Sequence, residues 1–534
     1  MQRWQKAHQR RRVDTFNVLK NATMKNMILF AAASLTIASA SAQLSKSDIR
    51  TLDKYFTEAL DAWDVPGMGV AIVQDGEVIF EKGYGVRDVR TAKAVDANTL
   101  FAVASNTKSM TAAALAMLVD EGKIGWDDKV KEYLPWFELY DPYVTANITI
   151  RDLLCHRSGL ATFSGDLIWY GSDHSREEVL RRARHLEPRY GFREHYGYQN
   201  IMFLAAGQII PEVTGQSWED FVSERILKPL GMDNTLYSVK QITEDTNIAT
   251  PHNASDNGNV AIEWVNWDNI APAGSMISSA HDWSKWMQVQ LGMGVFKGDT
   301  LWSADRSREM WTVQTPEAVS AGSQGLWPSR TFMGYGLGWE LMNTHGSKVV
   351  SHGGGYDGMI SRTMMVPEMN AGIVVVTNSL TSLSYAATYK WLDVLHGIDK
   401  GEDWSKLFLE YSAANEDSKE MARKVEEELR VPGTQPSLAL EAYAGTYRDK
   451  IYGDLEVRVI GDQLAFQFAH TSIFRGTLRH WHYDTFQLNW GTQMMLPSGE
   501  AQFTLSSDAK VKSLEIDVPN PDFDFTELNF EKVD

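Results

Sequence analysis

The chain of 534 residues has a single cysteine, Cys155, which excludes an intrachain disulfide and any Cys-rich zinc module. Its 13 histidines show no H-E-x-x-H or similar ligand spacing, so no catalytic metal and no cofactor are expected. No apolar run reaches the roughly 20 residues that span a bilayer, so no integral membrane segment is expected in the mature chain. Positive charge is also short: 51 Lys and Arg face 69 Asp and Glu, a net of −18. Residues 1–42 hold seven of those cations against one acid, Asp14, which leaves the remainder at −24. So acidic a body repels phosphate backbones and anionic lipid head groups, and nucleic acid is not an expected partner.

What is present is a globular composition, 43% hydrophobic and 22% charged, long enough for two or three domains. The basic N-terminus runs into Met27–Ala33 and then Ala40-Ser41-Ala42. A positive region, a short apolar region and an A-x-A site predict a signal peptide over 1–42 and a periplasmic or secreted protein. Met24 also offers an ordinary start, which would make residues 1–23 an over-extension.

Residues 47–63 carry Ile49, Leu52, Phe56 and Leu60 at helical spacing. Asp75-Gly76 between two apolar runs predicts a hairpin. Ser105 to Glu121 reads as a helix apolar nearly all round, hence internal. Thr149-Ile150-Arg151-Asp152 reads as a capping box opening a short helix over 153–156, and Ser175 caps another. Residues 200–228 read as helical, broken at Pro211. Beta character returns at 349–350, 363–366 and 372–376, so a mostly helical insertion (about 106–310) splits one α+β domain. A polar helix over 403–430 leads to a tail whose alternating runs, such as Leu464/Phe466/Phe468 and Leu514/Ile516/Val518, predict a small antiparallel barrel or sandwich. The expected organisation is a domain over 43–400, a helical linker over 401–436 and a β domain over 437–534.

Three short motifs carry chemistry. In Ser105-Asn106-Thr107-Lys108, residues i and i+3 share a helix face, and a desolvated lysine can take the proton of a serine hydroxyl. A helix start also presents N–H groups to a developing oxyanion. The plain alternative is a serine N-cap, and Ser507-Asp508-Ala509-Lys510 shows how readily the spacing arises by chance. In Tyr198-Gln199-Asn200 an extended loop points both outer side chains one way, a phenol held partly ionised by a lysine and an amide able to grip a carbonyl. Most such loop residues are structural. Ser351-His352-Gly353-Gly354-Gly355 follows a strand and leaves bare backbone along which a substrate can lie, although it also fits a simple glycine-rich turn. Cys155 beside His156 reads as a buried thiol, and Trp264 and Trp267 as candidates for an apolar cleft wall.

Taken in this order, the motifs resemble the serine β-lactamase and penicillin-binding protein superfamily, in its class C-like branch of esterases and D-amino-acid peptidases. Its pattern S-x-x-K, Y-x-N, K/H-[TSG]-G is similar to Ser105/Lys108, Tyr198/Asn200 and His352/Gly354 here. Stretches 153–160, 272–276 and 335–339 look familial too, and the likeness covers about 47–395. It implies a β-lactamase-like antiparallel sheet flanked by helices. It also implies an acylated Ser105, a proton relay through Lys108 and Tyr198, Asn200 holding the acyl side chain, and an oxyanion hole at the N–H groups of Ser105 and Gly355. His352 replaces the family's usual lysine and Gly353 its hydroxyl residue, so the anchor for a substrate carboxylate is weakened. Any residual attraction is expected to grow as the pH falls toward 6. Should that charge come from elsewhere, Arg362 is the candidate cation. The tail resembles the lipocalin-like domain appended to such hydrolases. The implied activity is hydrolysis of a small-molecule or peptide ester or amide, β-lactam-like substrates included, as an esterase, D-amino-acid peptidase or β-lactamase. An acyltransferase and a non-enzymatic penicillin-binding-type receptor are the alternatives on the same fold.

Overall fold

The computed structural model describes residues 43–255, 258–399, 401–491 and 495–533; the expected leader, 1–42, lies outside the described residues. The first helix, α1 (Lys46–Ala62), buries Leu52, Phe56 and Leu60, the stripe its spacing predicts. Strands β1 (Gly67–Gln74) and β2 (Glu77–Gly85) follow. Asp75 and Gly76 both take positive φ, +53° and +80°, as the favoured two-residue hairpin turn requires.

The hairpin joins one edge of an eight-stranded antiparallel sheet whose other strands come mostly from 200 residues later. These are β3 (Thr315–Glu317), β4 (Met333–Tyr335), β5 (Glu340–Thr344), β6 (Ser347–Tyr356), β7 (Met359–Val366) and β8 (Ala371–Thr377), in the order β2-β1-β8-β7-β6-β5-β4-β3. Met68 pairs with Thr377 and Gln74 with Ala371, so β1 and β8 run the length of each other. Both are buried at every residue, which an antiparallel sheet allows only where helices cover both faces. The covering helices are α4 (Ala280–Leu291) and α5 (Leu383–Leu395), the latter also packing on α1.

Between the two parts of the sheet lies the helical insertion. Its centre is α2 (Thr107–Asp120), buried from Thr107 to Leu118. Such all-round burial suits the Ala-rich sequence and removes the helix from solvent altogether. Beside it runs α3 (Asn200–Thr214), where two expectations need correction. Pro211 sits inside α3, and the break comes at Gly215, whose φ of +73° ends the helix while its N–H donates to Pro211 O. The capping box at Thr149 and Asp152 forms, but the helix it opens is Ile150–Leu153, immediately after the cap, rather than 153–156.

After the exposed helix α6 (Trp404–Leu429) the chain closes a barrel of eight strands. They are β9 (Gly445–Asp449), β10 (Gly453–Ile460), β11 (Gln463–Phe468), β12 (Arg475–His482), β13 (Thr485–Trp490), β14 (Gly499–Leu505), β15 (Val511–Asp517) and β16 (Asn529–Val533). Alternate residues Leu464, Phe466 and Phe468 face its core. The alternation had marked only five of the strands. The barrel docks on the insertion through backbone and side chain: Asp173 N donates to His470 O (2.9 Å) and Arg182 Nη1 to Ile451 O (2.8 Å).

Candidate active site

The short strand Phe101–Ala102 leads into a one-turn helix, Ala104–Asn106, that carries Ser105 ahead of α2. Ala104 holds φ +45°, a conformation that a residue with a Cβ adopts only at a cost. The turn is pinned to strand β7. Ser361 Oγ donates to Val103 O (2.7 Å) and accepts from Asn106 Nδ2 (2.8 Å). Strand β6 passes so close that a Cβ on Gly354 would lie 2.2 Å from Val103 O and 3.1 Å from Ser105 N, which only glycine avoids. Beyond Ser351, β6 outruns β5 and pairs only with β7, leaving one edge of residues 352–356 beside the cavity.

That cavity, about 500 Å³, brings together Ser105, Tyr198, Asn200, His352, Gly354 and Gly355. Lys108 lies in its wall, fully buried, with Nζ donating to Ser105 Oγ (3.0 Å), Asn200 Oδ1 (2.7 Å) and Ala273 O (2.9 Å). Burial pushes its ammonium down to about 7, against the opposing pull of Asp166. Tyr198 also hydrogen-bonds Ser105, but burial moves its phenol far above its ordinary value. The partly ionised phenol expected from sequence is therefore not what this environment favours. Lys108 is the group poised to be a neutral base at pH 7, and Tyr198 is a neutral O–H.

His352 differs from expectation as well. Its Nδ1 lies 2.5 Å from Gly353 O, which can only accept, so Nδ1 carries the proton and Nε2 accepts from Tyr335 O–H (2.7 Å). Both ring nitrogens are used inside the protein, and burial holds the ring at about 4. No gain of charge between pH 8 and 6 follows. The space above Gly353 is occupied by Tyr385, whose hydroxyl sits 2.8 Å from where a Cβ would be, with Arg362 Nη1 at 3.8 Å from the same point. A phenol and a buried guanidinium thus stand where the motif's hydroxyl residue would point.

Sequence reasoning missed Asp166. It is 2% exposed, accepts from Asn200 Nδ2 (2.6 Å) and Trp169 Nε1 (2.8 Å), and burial raises its carboxyl to about 7. No motif marks it, because the partner that ties it to the site, Asn200, is 34 residues away on a different helix. Equally unmarked is the barrel's part: Leu496, Asn520, Asp522 and Phe523 line the cavity. Glu527 of the barrel accepts from Ser164 Oγ and from Gly165 N (2.8 Å), the turn just before Asp166. Trp267 lines the cavity, whereas Trp264 stacks behind it on Tyr356 (5.1 Å). Cys155 is buried and its thiol pushed up to about 12, away from the site. Ser507 and Lys510 lie on an exposed turn. Elsewhere, Asp173, His174 and His470 offer ligand atoms within 4.8 Å of one another, a grouping that no sequence spacing signals, though the nearby Arg182 charge disfavours a further cation there.

Comparison with known proteins identifies the family and the fold. Over 441 residues the chain is 30% identical to unguisins hydrolase ungD' of Aspergillus campestris, covering 76% of this chain and 78% of that one. The octameric penicillin-binding protein homologue from Pyrococcus abyssi has the same fold, with a TM-score of 0.58 and 22% identity over 91% of this chain and 99% of that one. So does the D-amino acid amidase from Ochrobactrum anthropi SV3, with a TM-score of 0.53 and 24% identity over 65% and 99%. Residues 429–532 match the model of a domain of unknown function, DUF3471. The Beta-lactamase family model matches residues 52–397, and the chain belongs to that family of serine hydrolases.

Proposed function

We propose that the protein is an exported hydrolase that cleaves an ester or amide, of a small molecule or a peptide, through a covalent acyl-Ser105 intermediate. The observation that carries this is the buried Lys108 Nζ at 3.0 Å from Ser105 Oγ, with its ammonium brought down to about 7. As Ser105 Oγ bonds to the substrate carbonyl carbon, neutral Lys108 takes its proton. The N–H groups of Ser105 and Gly355 face the oxyanion, and Asn200 orients the acyl part. Tyr198, neutral and hydrogen-bonded to Ser105, passes a proton to the departing alcohol or amine and is resupplied from Lys108. Water then attacks the acyl carbon, losing its proton to the same pair, which returns it to Ser105 Oγ as the acyl C–Oγ bond breaks and the acid leaves. Similarity to a fungal hydrolase supports acyl chemistry, and the leader pattern supports export to the periplasm or beyond. The barrel's eight strands follow one another in sequence order round a closed ring, the up-and-down architecture that lipocalins share, which supports a lipocalin-like reading of that domain.

The test is labelling with a fluorophosphonate, mapping of the adduct, and turnover of aryl esters, amino-acid amides, D-peptides and penicillins. We expect one adduct, on Ser105, and uncharged esters or amides ahead of penicillins at pH 7. Because His352 sits at about 4, penicillin turnover should not improve between pH 8 and 6. An adduct on another residue overturns the reading.

Asp166→Asn keeps an acceptor for Asn200 but removes the charge that raises the Lys108 pKa. Lys108 is a base only when deprotonated, so wild-type kcat/KM on an uncharged ester should rise as pH climbs through about 7. In the variant this acid limb should move to lower pH. An unmoved limb would show that Asp166 does not act on the base.

A further inference from the structure

Beyond Gly355 the cleft changes character. Strand β6 ends in the turn Asp357-Gly358, where Asp357 Oδ1 accepts from Tyr170 O–H (2.6 Å). Its second oxygen, Oδ2, is shut off from solvent and has no hydrogen-bond partner among the described residues. Asp522 of the barrel lines the same cavity and repels Asp357, so burial and like charge together push the Asp357 carboxyl up to about 6. Asp522 itself stands exposed at the cavity's edge, where partial desolvation raises its carboxyl. The walls here are aromatic faces: Trp267 packs against Trp169 (5.1 Å) and Tyr356 (4.7 Å), and Tyr170 against Phe523 (4.6 Å).

The described lining residues include four acids, Asp166, Glu340, Asp357 and Asp522, and no lysine or arginine, while His352 is neutral at pH 7. The neighbouring cations Lys108 and Arg362 are buried. Asp357, desolvated in the cavity wall, and Asp522, more open at its edge, stand among π faces and lack a positive partner.

We propose that Asp357 and Asp522 form a subsite for a primary ammonium group on the acyl part of the substrate, an assignment that rests on the acyl-Ser105 reading. The acyl side follows from the wall the residues share. Tyr170, which holds Asp357, directly follows the helix Asp166–Trp169, whose Asp166 holds Asn200. The other end of the open strand, at Gly353, faces Tyr385 and Arg362 instead. From Gly354, beside Ser105, to Asp357 is three residues of strand, roughly 10 Å at ~3.3 Å per residue. An α-amine one residue beyond the scissile bond and a lysyl-type side-chain amine both fall within that span.

The experiment measures binding in a Ser105→Ala background, by quenching of tryptophan fluorescence, and needs no chemistry. The probes are phenylalanyl-alanine amide (α-ammonium), Nα-acetyl-lysine amide (side-chain ammonium) and Nα-acetyl-norleucine amide (neutral). We expect one or both cationic amides to bind about 10- to 100-fold more tightly than the neutral one, the range of a charge-assisted contact. Which of the two does so tells the α-amine from the side-chain amine. Asp357→Asn, which keeps the acceptor for Tyr170, and Asp522→Asn, at an exposed position, should each erase most of that preference and leave the neutral affinity within about two-fold. Should Asp357→Asn fail to fold, Asp522→Asn carries the test. Equal binding of all three amides, or a preference untouched by Asp522→Asn, overturns the proposal. Fluorophosphonate labelling of the wild type is read separately. Its absence would sink the acyl-Ser105 reading while the binding data still decide the subsite.

Discussion

Ser105→Ala is expected to lower turnover by roughly 10⁴-fold or more, because removal of a nucleophile abolishes the covalent route and leaves only binding and oxyanion stabilisation. The fold should survive. Lys108 Nζ loses one acceptor but keeps Asn200 Oδ1 and Ala273 O, and the strained turn at Ala104 is held from strand β7 by Ser361, not by Ser105. Ser507→Ala is the internal control, with the same S-x-x-K spacing on an exposed barrel turn, and it should leave rate and labelling unchanged. Initial rates and adduct mapping on both variants check this. A Ser105→Ala enzyme, folded by circular dichroism, with more than about 1% of wild-type turnover would sink the mechanism.

Lys108→Met should cost roughly 10²- to 10⁴-fold, the usual contribution of a positioned base, and should also remove the acid limb of the pH profile near 7. The second effect is the more telling. A lysine there merely filling space would lower the rate without altering its pH dependence. Tyr198→Phe removes the proton carrier rather than the base, so its acid limb should remain. Since the two groups handle one proton, the double variant should be far less impaired than the product of the single losses. Buried acceptors left behind by methionine cost about 1–3 kcal/mol each, so a thermal melt must accompany the kinetics. A Lys108→Met profile that keeps its limb near 7 would show that another group sets it.

How much of this could be read from the chain depends on how local each cause is. The Asp75-Gly76 turn, the α1 stripe and the Ser175 cap are set by neighbours within a few residues, and each forms as its spacing suggests. Pro211 misled because a proline does not always end a helix, whereas the nearby Gly215 supplies the positive φ that does. The barrel's period-2 runs were legible in five strands. The others, β9, β12 and β16, carry no clean alternation of apolar residues. Within the site, the three motifs give residue types but not protonation. Lys108 and Tyr198 look alike as bases in sequence, and burial alone moves one into range and the other out of it. Asp166, Tyr385 and Asp522 carry no local mark at all, because each matters through a neighbour brought from a distant element.

Glu527 has a consequence for inheritance. It hangs the Ser164–Gly165 turn, and through Asp166 the amide of Asn200, on the far domain, while Asp522 and Phe523 a few residues earlier in the chain touch the cavity itself. One short segment of the barrel therefore both braces the catalytic face and edges the opening. Mutational drift in its exposed positions can retune which molecules are admitted without touching Ser105 or Lys108. Loss of the segment, by contrast, would loosen the face it braces. Two domains joined in this way are not freely interchangeable modules: a recombination that swaps the tail must supply an acceptor at the position of Glu527 for Ser164 and the Gly165 N–H.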